Sequence, residues 1–391
     1  MSKIDELIQE LCPNGVEYKE LGAVEDSGII KLGRGNVISK TDIVGSPGDF
    51  PVYSSSAAGS GEFGRYGKYM FDDERITWSI DGGGRFFYRT AHKYSVTNVS
   101  GWLKVIKIDI LDIKFLYYVL TDIWKTKAYD YTKKAHPSII RKEYIIPLPP
   151  LPIQEEIVRI LDKFTKLEAE LEAELEARKK QYDYYRNQLL TTIEKDGKWY
   201  MSGNEVGWKT LGEVCVSLRK GTLKRGQLVE DGAYPVINSG REWYGFYESY
   251  NNEADALIIA ARGEYAGFVS YISTKFWAGG LCYPYRSIKD DVIQTKFIYY
   301  YLKNNEQSIM DVLVSRGSIP AINKSDVDRI QIPIPPLSEQ ERIVSILDRF
   351  DALVNDISIG LLAEIEARRK QYEYYRGKLL SFKNIADRAE A

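Results

Sequence analysis

The chain has 391 residues, 44% of them hydrophobic and 28% charged; this composition suits a soluble globular protein with room for two or three domains. No apolar run approaches the ~18 residues of a membrane span, and two histidines with three scattered cysteines (Cys12, Cys215 and Cys282) leave little for a metal centre or a disulfide framework. The formal net charge of −2 argues against a uniformly basic nucleic-acid binder, yet Lys plus Arg outnumber Asp plus Glu by 18 to 11 over 27–142, so the distribution matters more than the total.

The N-terminus, Met1-Ser2-Lys3-Ile4-Asp5-Glu6, is charged and has no signal-peptide core, which predicts a cytoplasmic protein with no membrane partner. A first module, 1–146, alternates apolar strands with Gly- and Ser-rich turns. The expected strands are Phe50-Pro51-Val52-Tyr53, Ile76-Thr77-Trp78-Ser79-Ile80 and Trp102-Leu103-Lys104-Val105-Ile106, followed by a helical run over 113–124. Basic and aromatic residues interleave in its turns: Arg34, then Arg65, Tyr66 and Lys68, then Arg85 and Arg89, then Lys133 and Lys134. Arg and Lys neutralise phosphates, and Arg also forks onto guanine, so these are candidate DNA contacts. Gly59-Ser60-Gly61-Glu62-Phe63-Gly64 has the glycine spacing of a dinucleotide fingerprint. No helix follows it, so it reads as a turn. Gly82-Gly83-Gly84 lacks the Lys-Ser/Thr of a phosphate loop.

Prolines at 147, 149 and 150 announce a long helix, with the segment 147–196 acting as a spacer. From 154 to 190 it runs 37 residues, roughly 55 Å at ~1.5 Å per residue. Its apolar stripe includes Ile157, Phe164, Leu171, Tyr182 and Leu189. Over 167–177 the stripe is built from Leu-Glu-Ala-Glu tetrapeptides, which drift against a heptad by steps of one turn. Lys and Arg number 7 here against 10 Asp and Glu over 154–194, so an acidic rod follows a basic module.

A second module, 197–332, repeats the pattern with Tyr234-Pro235-Val236-Ile237, Ala256-Leu257-Ile258-Ile259-Ala260 and a strand over 267–272, then a helical run over 293–304. Charges balance at 14 against 14 over 213–332. Its candidate DNA contacts are Lys220, Lys224 and Arg225, then Arg241, Trp243 and Tyr244, then Arg262, Arg316 and Ser318. A second spacer helix and tail, 333–391, carries the stripe Ile343, Phe350, Ile357, Tyr372 and Leu379.

The two spacers are one sequence written twice. PLPPLPIQEEIVRILDKF (147–164) and PIPPLSEQERIVSILDRF (333–350) share 12 of 18 positions; EARKKQYDYYRNQLL (176–190) and EARRKQYEYYRGKLL (366–380) share 11 of 15. The offset grows from 186 to 190 residues, so the second copy has gained about one helical turn. A frame held constant around divergent inserts predicts two readers of different targets. It also predicts a pseudo-two-fold α+β architecture of two α/β modules separated by two long antiparallel helices.

This arrangement resembles the specificity subunits of type I restriction-modification enzymes, across essentially the whole chain. The resemblance looks closest to the IC branch, on the segments 156–164, 179–190 and the tetrapeptide helix of 167–177. One departure stands out: the tetrapeptide reads Leu-Glu-Ala-Glu where Thr-Ala-Glu-Leu is expected, which leaves the spacer length open. The resemblance implies that each module is a target-recognition domain reading half of a bipartite, asymmetric sequence in double-stranded DNA, with the helices setting the gap. It implies two modification (methyltransferase) subunits docked on the helices and two restriction (translocase-nuclease) subunits. S-adenosylmethionine, ATP and Mg would belong to those partners, with no cofactor, metal or catalytic residue in this chain. Two rival readings are a fused methyltransferase or nuclease, disfavoured by the missing cofactor motifs, and a DNA-independent scaffold, disfavoured by the basic, aromatic-rich modules.

Overall fold

A computed structural model of the chain describes residues 2–56, 59–130, 132–355 and 359–388. It divides into two units, Met1–Glu170 with Glu366–Ala391, and Leu171–Ile365. The first spacer is one helix of 40 residues, Leu151–Leu190, that starts directly after Pro149-Pro150. It gives its first half to one unit and its second half to the other.

In the first unit, Ser2 and Asp5 form a capping box that starts a helix at Lys3–Leu11. The module holds a four-stranded antiparallel sheet in the order Ile30–Arg34, Ser100–Val105, Arg75–Ser79, Phe86–Arg89. A three-stranded sheet joins Glu62–Tyr66, Phe50–Tyr53 and Ser95–Val96, the last pair parallel. The helix Ile113–Lys125 packs Phe115, Leu116 and Val119 into one core with Ile76, Trp78 and Leu103. Gly101 is required there, because a Cβ would enter the Trp78 ring.

The second unit repeats this topology although the two module sequences are only faintly alike. Its four-stranded sheet runs Cys215–Ser217, Cys282–Ser287, Ala256–Ala260, Val269–Ile272, and its three-stranded sheet Gly245–Tyr247, Tyr234–Ile237, Trp277–Ala278, again with a parallel last pair. The helix is Thr295–Asn304. An added hairpin, Thr192–Lys195 with Lys198–Met201, turns at Asp196-Gly197, both with positive φ, as a two-residue Asp-Gly turn requires.

Each spacer helix is bolted to its module by the same polar set, a buried glutamine and a half-buried aspartate. Gln154 is fully buried; its amide accepts from Asp112 N (2.8 Å) and donates to the carbonyls of Ile110 (2.9 Å) and Pro149 (2.7 Å). Gln340 does the same with Gln294 N (2.9 Å), Val292 O (3.0 Å) and Pro335 O (2.9 Å). Two turns on, Asp162 receives Lys114 (2.5 Å) and the Tyr118 hydroxyl (2.6 Å), while Asp348 receives Lys296 (2.8 Å) and the Tyr300 hydroxyl (2.5 Å). Burial, reinforced by these carboxylates, pushes both tyrosines well above the ordinary phenol range. Glu156 is held down at about 2 by the Arg159 guanidinium, with Lys3 adding to the effect.

The predicted stripe serves both the helix pair and the module cores. Ile157 and Ile343 are fully buried among module residues, Leu189 and Tyr182 are buried in the second unit's core, and Leu171, Tyr372 and Leu379 are half-buried against their units' cores. In the first unit Phe164 stacks on Tyr375 (5.6 Å between centroids) and meets Tyr372 (6.2 Å), while Glu168 pairs with Arg369 (2.6 Å). The partner numbers fall as the helix numbers rise, so the two segments run antiparallel. In the second unit Phe350 meets Tyr182 (6.1 Å) and Tyr185 (5.6 Å). Ile357 lies outside the described residues. The second spacer departs from the single helix expected: it is two helices, Leu337–Val354 and Leu361–Leu380. Asn355 ends the first, its N–H on Asp351 O and its side chain on the Asp351 carboxylate at 2.8 Å. Asn, Asp, Ser and Gly crowd 355–360, and such residues offer the backbone bonds that compete with a helix.

Candidate nucleic-acid interface

The first module spends most of its predicted basic residues on itself. Arg34 ends its strand exposed, but its fork closes on the Asn98 carbonyl at 3.0 and 2.6 Å. Arg65 bonds Glu62 and the Asp49 carbonyl, each at 3.1 Å, beside a half-buried Tyr66. Lys133 pairs with Glu143 and Lys134 with Asp81, each at 3.1 Å. Lys68 and Arg85 are exposed, with Arg85 5.1 Å from the Phe87 ring centroid.

Arg89 requires a correction. It is 7% exposed, bonded to Thr77 Oγ1 (3.0 Å) and Ser60 O (2.8 Å), and sits 3.5 Å over the Tyr53 ring. Burial lowers its pKa from the ordinary arginine value. A guanidinium enclosed between rings and bonded on both sides cross-links the two sheets of the module and has no face to offer DNA.

The second module gathers what the sequence scattered. An open cleft of about 810 Å³ is lined by Arg225, by the loop 238–244 that leaves the strand Tyr234–Ile237, and by Glu264, Tyr265 and Leu281. Four predicted residues meet there: Arg225, Arg241, Trp243 and Tyr244. Trp243 is 58% exposed and stands edge-on to Phe246 at 5.5 Å. Glu264 and Tyr265 arrive on a turn set between Gly263 (φ 91°) and Gly267 (φ 88°), conformations that favour glycine. The remaining predicted residues lie outside the cleft. Lys220 donates to Gly280 O (3.2 Å), Arg316 pairs with Asp311 (2.8 Å), and Lys224, Arg262 and Ser318 are exposed.

Sequence reading did not single out Asn238, Glu264 or Tyr265 of this cleft, nor the buried glutamines and half-buried aspartates that anchor the helices. For the cleft no local signal existed, since its walls come from positions tens of residues apart. For the anchors a signal did exist: Gln154/Gln340 and Asp162/Asp348 are polar positions identical in both copies.

The cleft offers arginine donors, carboxylate and amide acceptors, and exposed aromatic faces, the complement of base edges and base faces. Among the described residues, no group of three or more His, Cys, Asp or Glu is placed to hold a metal ion, and no helix is long and apolar enough to cross a membrane.

A family model described as the type I restriction modification DNA specificity domain matches this sequence twice, at residues 15–177 and 205–367. The chain is 37% identical over 295 residues to the specificity subunit of the Escherichia coli type I restriction enzyme EcoR124I/EcoR124II, covering 69% of this chain and 71% of that one. It is 28% identical over 368 residues to a Mycoplasma pneumoniae protein named as a type I specificity subunit, covering 90% and 96%. Its fold resembles the crystal structure of the type I restriction-modification S subunit from M. genitalium, with a TM-score of 0.66 and 19% identity over 94% of this chain and 96% of that one.

Proposed function

The chain belongs to the type I restriction-modification DNA specificity family, and from that premise we propose that it is the sequence-reading subunit of a type I complex, each module taking one half of a bipartite, asymmetric DNA target. One observation carries this reading. Two modules of identical sheet order, fastened to their helices by the same Gln and Lys–Asp–Tyr contacts, present different surfaces. The frame is duplicated and the readers are not.

The partners follow from the same reading. Two modification subunits dock on the helical segments, which occur twice, and flip the target adenine from the stack; two restriction subunits complete the nuclease. S-adenosylmethionine, ATP and Mg are bound by those subunits, and this chain contributes recognition rather than catalysis, in the cytoplasm. The helices act as the ruler between half-sites: a helical rod of roughly 55 Å exceeds one DNA turn of about 34–36 Å.

The test is to coexpress the chain with its modification subunit and map N6-methyladenine across the host DNA. The expected result is a single bipartite motif with a fixed gap. A stable, soluble complex that adds no methylation would overturn the reading.

A further inference from the structure

Two arginines of the second module are spent on the fold. Arg286 donates to the carbonyls of Glu253, Ala254 and Asp255 at 2.6–2.9 Å, and Arg316 is bound to Asp311 at 2.8 Å. Arg241 differs. Its guanidinium lies 5.0 Å from the Tyr265 ring centroid and 5.8 Å from that of Phe268, with no hydrogen-bond or ion-pair partner among the described residues. Ring contacts fix where the planar group sits and leave its five donors unspent, in an open cleft beside an exposed tryptophan.

The charge of the cleft decides what those donors meet. Arg225 and Arg241 share it with Glu242 and Glu264, so its formal charge is zero. A phosphate placed there would face two carboxylates. A G·C pair would not: guanine O6 and N7 accept the arginine fork, and the cytosine N4 amino group donates to a carboxylate.

We propose that this cleft is the base-reading surface of the second module and that Arg241 is its specificity-determining residue, forking onto a guanine in the half-site this module reads. The inference rests on the recognition role proposed above. Glu242 or Glu264 takes the paired cytosine, and Trp243 packs against the neighbouring base edge.

The experiment uses the full chain in complex with its modification subunit and a pool of duplex DNA randomised across both half-sites. Bound duplexes are sequenced for the wild type, Arg241→Ala and Arg241→Lys. Wild type should select a bipartite motif. Arg241→Ala should lose the guanine preference at one position of one half, with discrimination falling roughly ten- to a hundredfold, while the other half and the gap stay unchanged. Arg241→Lys keeps the charge but not the fork and should relax the same position. Unchanged selection by both variants would overturn the proposal. So would an even loss of affinity across all sequences that lysine restores, since that is a phosphate contact. If Arg241→Ala failed to assemble, the lysine variant alone would decide between these outcomes. A wild-type complex that selected no motif would sink the recognition role itself, which separates that failure from the failure of Arg241.

Discussion

Gln154 and Gln340 tie their helices to the modules in a way no apolar residue can, because each is fully buried and bonded three times to loop backbone. Replacing either by Leu keeps the approximate volume but strands one N–H and two carbonyls in the interior. Unsatisfied buried groups of this kind cost about 1–3 kcal/mol each, partly recovered by relaxation. Gln154→Leu and Gln340→Leu should therefore each destabilise the protein by about 2–4 kcal/mol, read as a drop in the guanidinium midpoint. Exposed Gln371→Leu, on the helix Leu361–Leu380, serves as the control and should change little. A midpoint unchanged in either buried variant would show that the loop carbonyls find water instead. Arg89 shows the opposite lesson at this scale. In the sequence it stands among aromatic residues like a contact arginine, and only the packing of Tyr53 and Phe87 around it reveals a buried cross-link.

At the scale of elements, the long helix is the part whose length can change in whole turns. One Leu-Glu-Ala-Glu unit adds four residues, about 6 Å of rise, and rotates the downstream half of the helix by little more than a full turn. Leu171 and Leu175 sit half-buried and buried on one face here, so an inserted unit keeps the stripe on that face. Insertion after Glu174 should widen the gap in the methylated motif by about one to two base pairs, given ~3.4 Å of DNA axis per pair, and leave both half-sites unaltered. An unchanged gap in the methylome of the insertion strain would remove the ruler role. The helix was legible because a 37-residue stripe with prolines at its head admits few alternatives. The strands at 50–53, 76–79 and 256–260 were legible too, from apolar runs between turns. Sheet order was not. Ile30–Arg34 pairs with Ser100–Val105 across some 70 residues, and nothing local in either strand names its partner. The break after Val354 was hidden for a different reason: in the sequence Leu353, Ile357 and Leu361 keep a helical period straight past Asn355, which caps the helix.

At the scale of the molecule, each module is an insert with matching ends. Leu21 N–H donates to Tyr144 O and Leu211 N–H to Ile330 O, both at 2.8 Å, and both leucines are fully buried. Beyond these closures the contacts that fasten helix to module use the same residue types in both units, so a module from one position meets familiar partners in the other. Placing a second copy of residues 211–330 where 21–144 now stand should therefore give a folded chain. Its anchor residues survive the exchange: Gln294 N would face Gln154, and Lys296 and Tyr300 would face Asp162, as their counterparts do now. Coexpressed with the modification subunit, this duplicated chain should methylate a motif whose two halves are inverted copies of one half-site, namely the half that Arg241→Ala relaxes in the parent. The exchange also removes the basic surplus of the first module, so long-range attraction to DNA should weaken and binding should become less steeply salt-dependent. Retention of the original first half in the mapped motif would mean that residues outside 21–144 read it, and the division of labour between modules and helices would have to be redrawn.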